Sequence, residues 1–145
     1  VLCETGNARS FFAGVYALLE PGGAVTAIVA GHPPVLKLDA EGRIVVRLGS
    51  GSYPLGIKKN VQYAPVTTCL APGEVLLFHS DGLPEARGAN GEEFGDAHIE
   101  HLLFRRSGAR PYELVAALVQ DLDLFLGRAA AEDDVSIAVI RRKSA

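Results

Sequence analysis

The stretch EVLLFHSDGLPEAR (Glu74–Arg87) decides how the rest of the chain is read. Its opening, EVLLF, has an apolar core and reads as a buried strand. A histidine, a serine, an aspartate, a glycine and, soon after, a proline come next, and none of these prolongs a strand. Two readings are open at Asp81-Gly82. Asp-Gly is a strong hairpin signal, so the pair can be a plain turn. Alternatively, an aspartate delivered at a strand end can be a metal ligand. The next residues, Leu83-Pro84-Glu85-Ala86, do not read as a returning strand, which counts against the hairpin.

Upstream of this stretch the chain reads as β. Phe11 to Glu20 is rich in aromatic and branched residues, stops at Pro21-Gly22-Gly23, and resumes from Ala24 to Ala30, which predicts a hairpin. Gly31-His32-Pro33-Pro34 interrupts it, because a double proline cannot sit in a central strand. Val35 to Leu38 and Arg43 to Leu48 flank the turn Asp39-Ala40-Glu41-Gly42 and predict a second hairpin. Gly49-Ser50-Gly51-Ser52-Tyr53-Pro54 is a loop by composition. Val61 to Leu70 and Glu74 to Ser80, joined across Ala71-Pro72-Gly73, predict a third hairpin.

Downstream the pattern turns helical. Asp96 is placed to cap a helix whose apolar residues are Ile99, Leu102 and Leu103. Pro111 suits the first turn of another, where Leu114, Leu118, Leu122 and Phe125 make one apolar face and Gly127 the C-terminal cap. VSIAVI (Val135–Ile140) closes as a strand. Hairpins first and helices later predict an α+β domain of antiparallel sheet packed on helices. The 145 residues fit a single domain, with no internal repeat or linker.

Asp81 therefore falls just past the C-terminal end of one strand, and Asp133-Asp134 just before the N-terminal end of another. If those strands are antiparallel neighbours, the two ends share one sheet edge and one pocket. Two carboxylates about 4 Å apart repel by roughly 4 kcal/mol at an effective dielectric near 20. They must stay apart, share a proton or hold a cation between them. Oxygen ligands favour Mg²⁺ or Mn²⁺ over zinc. A solvated bend at Asp133-Asp134 is the plain alternative.

Composition narrows the function classes. With 14 basic and 17 acidic residues and no basic stripe, nucleic acid is not an expected partner. The longest apolar runs are far too short to span a bilayer, and no signal-peptide pattern is present. Cys3 and Cys69 form no metal or disulfide framework and read as reduced thiols of a cytoplasmic protein. The chain has no methionine, so Val1 reads as the start of a fragment or a processed form.

The ordered pieces FFAGVYALLEPGGAVTAIVAGHPPVLKL, YPLGI, LAPGEVLLFHSDGLPEARGANGEEFG and EDDVSIAVIRR resemble the C-terminal part of the PPM-type (2C-like) serine/threonine phosphatase domain. The likeness is to its bacterial form, that of the stage II sporulation phosphatase and of phosphatases that regulate sigma factors by partner switching. It implies an α-β-β-α sandwich and a centre of two Mn²⁺ or Mg²⁺ ions that bridge a water or hydroxide. That nucleophile would attack the phosphorus of a phosphoserine or phosphothreonine directly. It also implies that Asp81 and Asp133 are metal ligands, with Asp134 at a neighbouring polar position and Gly82 contributing through the backbone. The implied partner is a phosphorylated regulatory protein, such as an anti-sigma-factor antagonist.

The chain departs from the family in one respect. A further metal-binding aspartate lies, in the family, in an upstream GDxxGHG motif, and the only Gly-His here is in AGHPP, which matches a different segment. One bridging carboxylate is therefore expected to lie upstream, and this segment alone is expected to have little activity. A degenerate, non-catalytic module that binds a protein partner is the alternative, and dimerisation through exposed strand edges a third.

Other residues carry weaker signals. His32 and His79 are candidates to orient the site or merely to pack, and alternation puts His79 on the same face as Asp81. Glu85 lies near the pocket or starts a helix. His98 and His101 share a helix face but lack a third ligand. Arg9 and Arg87 are candidate phosphate contacts or surface charge, and Arg141-Arg142-Lys143 is a solvated strand end. The Gly49–Ile57 loop is a candidate substrate contact by the same resemblance.

Overall fold

The structure is a computed structural model that describes residues 11–49, 51–127 and 132–143. Cys3 and Arg9 lie outside them. Among the described residues seven strands and two helices succeed one another: β1 (Gly14–Leu19), β2 (Ala24–Ala30), β3 (Val35–Leu38), β4 (Ile44–Leu48), β5 (Val66–Cys69), β6 (Val75–His79), α1 (Gly95–Arg105), α2 (Pro111–Leu126) and β7 (Ile137–Arg141). They form two antiparallel sheets, β1-β2-β5 and β4-β3-β6-β7.

The first two predicted hairpins are present, with Tyr16 opposite Ile28 and Val35 opposite Leu48. In the second, Asp39 organises the turn. Its Oδ1 accepts the N–H groups of Glu41 and Arg43 at 3.0 and 2.8 Å, and its Oδ2 accepts Arg43 Nε at 2.8 Å.

The third predicted hairpin does not exist. β5 pairs with β2, and β6 pairs with β3 and β7, so Ala71-Pro72-Gly73 carries the chain from one sheet to the other. Leu70, 2% exposed, enters the core between the sheets, and its N–H donates to Gly23 O at 2.7 Å. The tight turn is real, with Glu74 N–H donating to Ala71 O at 3.0 Å. A turn of this composition fixes a reversal of the chain and leaves open which strands it then pairs with.

β6 explains why EVLLF is apolar without alternation. Val75 and Leu77 face the helices, in a core with Leu36, Leu38, Ile99, Leu103, Leu114 and Leu118. Leu76 and Phe78 face the other sheet, against Val25, Val29, Val35 and Leu48. A strand covered on both faces has no solvent side to mark. Full burial of each such leucine stabilises the fold by roughly 1.5–3 kcal/mol. Among the described residues the layers are thus sheet, sheet and helix pair.

Both helices follow their apolar stripes. α1 buries Ile99, Leu102 and Leu103, and α2 buries Leu114, Leu118, Leu122 and Leu126. Asp96 is not the cap of α1. The helix starts one residue earlier, after Phe94, without a side-chain cap, and Asp96 lies in the first turn, where its charge suits the helix dipole. The start of α2 is held by Glu113, whose Oε2 accepts the Arg110 N–H at 2.7 Å while Oε1 accepts Arg110 Nε at 3.1 Å. Pro111 occupies the first turn as expected, and Gly127 caps the end at φ 59°.

Candidate functional site

β6 and β7 are antiparallel neighbours with His79 opposite Ile137. The C-terminal end of β6 and the N-terminal end of β7 therefore lie side by side, as the placement of Asp81 and Asp133 requires. The join continues past the last strand pair. Ser80 N–H donates to Ser136 O at 3.0 Å. Ser80 Oγ donates to Asp134 O at 3.0 Å and accepts the Ser136 N–H at 2.9 Å. Gly82 rests on the same peptide, so closely that a Cβ there would lie 2.5 Å from Asp134 O.

Beyond Asp81 the chain makes a single helical turn, which decides between the two sequence readings of Asp-Gly. Leu83 N–H donates to Ser80 O at 3.3 Å and Glu85 N–H to Asp81 O at 3.0 Å. No strand returns. Leu83 and Ala86 instead drop into the core under the helices, and Arg87 and Glu93 form an isolated bridge farther out.

Both carboxylates face solvent. Asp81 Oδ1 accepts the Gly82 N–H at 3.1 Å, and Asp133 Oδ1 accepts the Asp134 N–H at 2.7 Å. Neither forms an ion pair among the described residues. They open into adjoining clefts of about 340 Å³ each rather than one pocket. The first is lined by Asp81 with Pro33, Arg47, His79 and Asp96, the second by Asp133 with Gly82, Arg87 and Glu132. Glu85 and Glu93 line both. Each carboxylate offers hard oxygen donors of the kind that Mg²⁺ or Mn²⁺ takes, and such an ion keeps several of its waters. Among the described residues no three His, Cys, Asp or Glu side chains group to complete a ligand cage.

His79, 4% exposed, is the buried polar residue at this edge, and its Nδ1 lies 3.0 Å from Ser80 O. A carbonyl only accepts, so Nδ1 carries the proton. His32 contacts the neighbouring Pro33 O at 2.9 Å and does not line either cleft. Asp134 is joined to the site by its backbone carbonyl. Arg87 is paired with Glu93. His98 bonds to Asp121 and stacks on Phe94, with ring centroids 4.3 Å apart, while His101 is exposed.

The loop around Gly51, Ser52 and Tyr53 lines a separate cleft of about 590 Å³ with residues 61–64 and shares no lining residue with the Asp81 and Asp133 clefts. Sequence reasoning missed Ser80 and Glu93. A serine at a strand end signals a bond to nearby backbone, but its partner here is 54 positions away.

The chain matches the family model described as Stage II sporulation protein E (SpoIIE) over residues 1–143. It is 27% identical over 143 residues to Protein IcfG of Synechocystis, covering 98% of this chain and 22% of that protein. Its fold is similar to that of the SiaA-PP2C domain of Pseudomonas aeruginosa, with a TM-score of 0.70, 23% identity, and coverage of 83% of this chain and 47% of the other. It is also similar to the crystal structure of the RsbU and RsbW domains of a Mycobacterium tuberculosis protein, with a TM-score of 0.66, 28% identity, and coverage of 89% and 35%. The Mn-presoaked phosphatase domain of SpoIIE from Bacillus subtilis gives a TM-score of 0.69 at 16% identity, covering 90% and 56%. The chain thus spans about a fifth of the curated relative and between a third and three-fifths of these structures.

Proposed function

The chain belongs to the stage II sporulation protein E family, and from that membership we propose that it is the C-terminal portion of a PPM-type phosphatase catalytic domain. In this reading residues 1–145 are one structural unit of that domain. The intact protein removes phosphate from a serine or threonine of a small regulatory protein, such as an anti-sigma-factor antagonist, in the cytoplasm. Its fold is that of the PP2C domains it resembles.

The observation that carries the proposal is the antiparallel register of β6 and β7, which sets Asp81 and Asp133 at one strand edge. Asp81 and Asp133 would hold Mn²⁺ or Mg²⁺, with Gly82 and Asp134 shaping the edge through their backbones. When bound, such an ion supplies Lewis-acid stabilisation of phosphoryl charge and activates water. The chain's own residues hold the two carboxylates in place, and His79 walls the cleft at Asp81. Glu85, Asp96 and Glu132 make the rim acidic, which favours cations over bare anions at this edge. A two-metal centre needs more ligands than these, so this segment alone is expected to turn over slowly or not at all.

The test is hydrolysis of a phosphoserine peptide by the full-length protein with Mn²⁺, before and after Asp81→Asn. The expected loss is at least about 100-fold, beyond what removing an outer hydrogen-bond partner costs, with melting temperature unchanged. Near-normal turnover by the variant overturns the assignment. A full-length protein that folds, holds a protein partner and hydrolyses nothing is a binding module instead.

A further inference from the structure

We infer that Ser80, with His79 behind it, is a positioning residue that fixes the separation of Asp81 and Asp133 by substituting its hydroxyl for its own carbonyl in the β6–β7 ladder.

In a regular antiparallel ladder, residues facing each other as a hydrogen-bonded pair exchange two N–H···O=C bonds. Ser80 and Ser136 are the next pair beyond His79 and Ile137, and they make only half of that exchange through the backbone. Ser80 N–H reaches Ser136 O at 3.0 Å. The return bond, from Ser136 N–H, goes to Ser80 Oγ at 2.9 Å. The Ser80 carbonyl is turned away from the ladder, where it accepts His79 Nδ1 at 3.0 Å and Leu83 N–H at 3.3 Å.

This exchange has two consequences. β6 leaves the sheet at Ser80 and enters the turn that projects Asp81, yet the Ser136 N–H at the join keeps a partner. The same hydroxyl donates to Asp134 O at 3.0 Å, which ties the residue after Asp133 to the residue before Asp81. One side chain therefore spans both arms of the edge. Ser52 makes the same kind of contact elsewhere, donating to Val29 O and accepting the Gly31 N–H at 3.4 Å. There it closes the C-terminal end of β2, away from the clefts at Asp81 and Asp133.

The role of Ser80 rests on the proposed metal-binding reading of Asp81 and Asp133. The experiment is Mn²⁺ titration of the full-length protein, followed by the free-Mn²⁺ paramagnetic resonance signal. It compares Ser80→Ala, Ser80→Val, Ser80→Thr and Asp81→Asn, each well below its own melting temperature. Threonine keeps the hydroxyl, and valine has the same shape without it. The expected result is Mn²⁺ affinity about tenfold weaker in the alanine and valine variants, within the range for lost outer partners of metal ligands, and restored to within about twofold in the threonine variant. A destabilised but correctly arranged edge would lower the melting temperature and leave affinity unchanged. If Asp81→Asn abolishes binding while Ser80→Ala and Ser80→Val bind as the parent does, or if Ser80→Thr binds as weakly as Ser80→Ala, Ser80 does not position the site. If Asp81→Asn itself binds Mn²⁺ normally, the metal-site reading falls first and takes the role of Ser80 with it.

Discussion

Gly82 packs directly against the backbone of Asp134, and a Cβ at position 82 would stand 2.5 Å from the Asp134 carbonyl oxygen. The atom in the way is backbone, bonded in turn to the Ser80 hydroxyl, so it cannot rotate aside as a side chain would. Gly82→Ala must push the two strand ends apart. The expected cost is about 1–3 kcal/mol, as for other overpacked sites, measured by urea denaturation. Wild-type stability in the variant would show that the edge is looser than this contact implies.

Asp133 and Asp134 are adjacent, but the fold uses them differently. Asp133 lines a cleft, whereas Asp134 meets Ser80 through its carbonyl. On the proposed function, Asp133→Asn weakens Mn²⁺ binding to the full-length protein by about tenfold or more, and Asp134→Ala changes it by less than about threefold. Titration of the two variants side by side decides the matter. Equal losses would mean that both carboxylates act.

The apolar stripe of α2 predicts a sharp contrast between two leucines. Leu118 is 0% exposed in the core under the helices, and Leu124 is 74% exposed. Leu118→Ala is expected to lower stability by about 2–5 kcal/mol, and Leu124→Ala by no more than about 0.5 kcal/mol. Chemical denaturation of both variants checks the assignment of faces.

Glu113 gives the first turn of α2 a defined acid limit. The Arg110 side chain, and then the Arg110 backbone N–H, hold its carboxyl down at about 2 against an ordinary 4.5. A carboxyl with a depressed folded-state pKa contributes stability that is fully present above the ordinary value. That contribution is lost as pH falls through the depressed one. The loss therefore falls between pH 4.5 and about 2. Glu113→Gln is expected to be less stable at neutral pH and to lose this part of the acid slope. Urea midpoints taken across that window test it, and an unchanged slope would rule out the Arg110–Glu113 contact as its source.

Much of the fold was legible locally. The two true hairpins announced themselves through Pro21-Gly22-Gly23 and Asp39-Ala40-Glu41-Gly42, and α2 through leucines spaced four apart. The start of α1 was misplaced because Asp96 has the chemistry of a cap but sits one position inside the helix. At the candidate site, Asp81 and Asp133 were legible because acidic residues at strand ends are conspicuous. Ser80 was not, because its hydroxyl acts on a peptide distant in sequence.

The sequence by itself determined the elements, their buried faces and the two aspartates at strand ends. All of these follow from the backbone's own periods of two and 3.6 residues and from the turn preferences of glycine and proline. Only the tertiary structure decided that β5 and β6 part into different sheets, that β6 lies against β7, and that the Ser80 hydroxyl replaces a carbonyl between them. Periodicity reports which side of an element is buried. It carries no information about which strand supplies the burial, and it is that choice of neighbour which sets Asp81 and Asp133 at the same end of the sheet, in adjoining clefts.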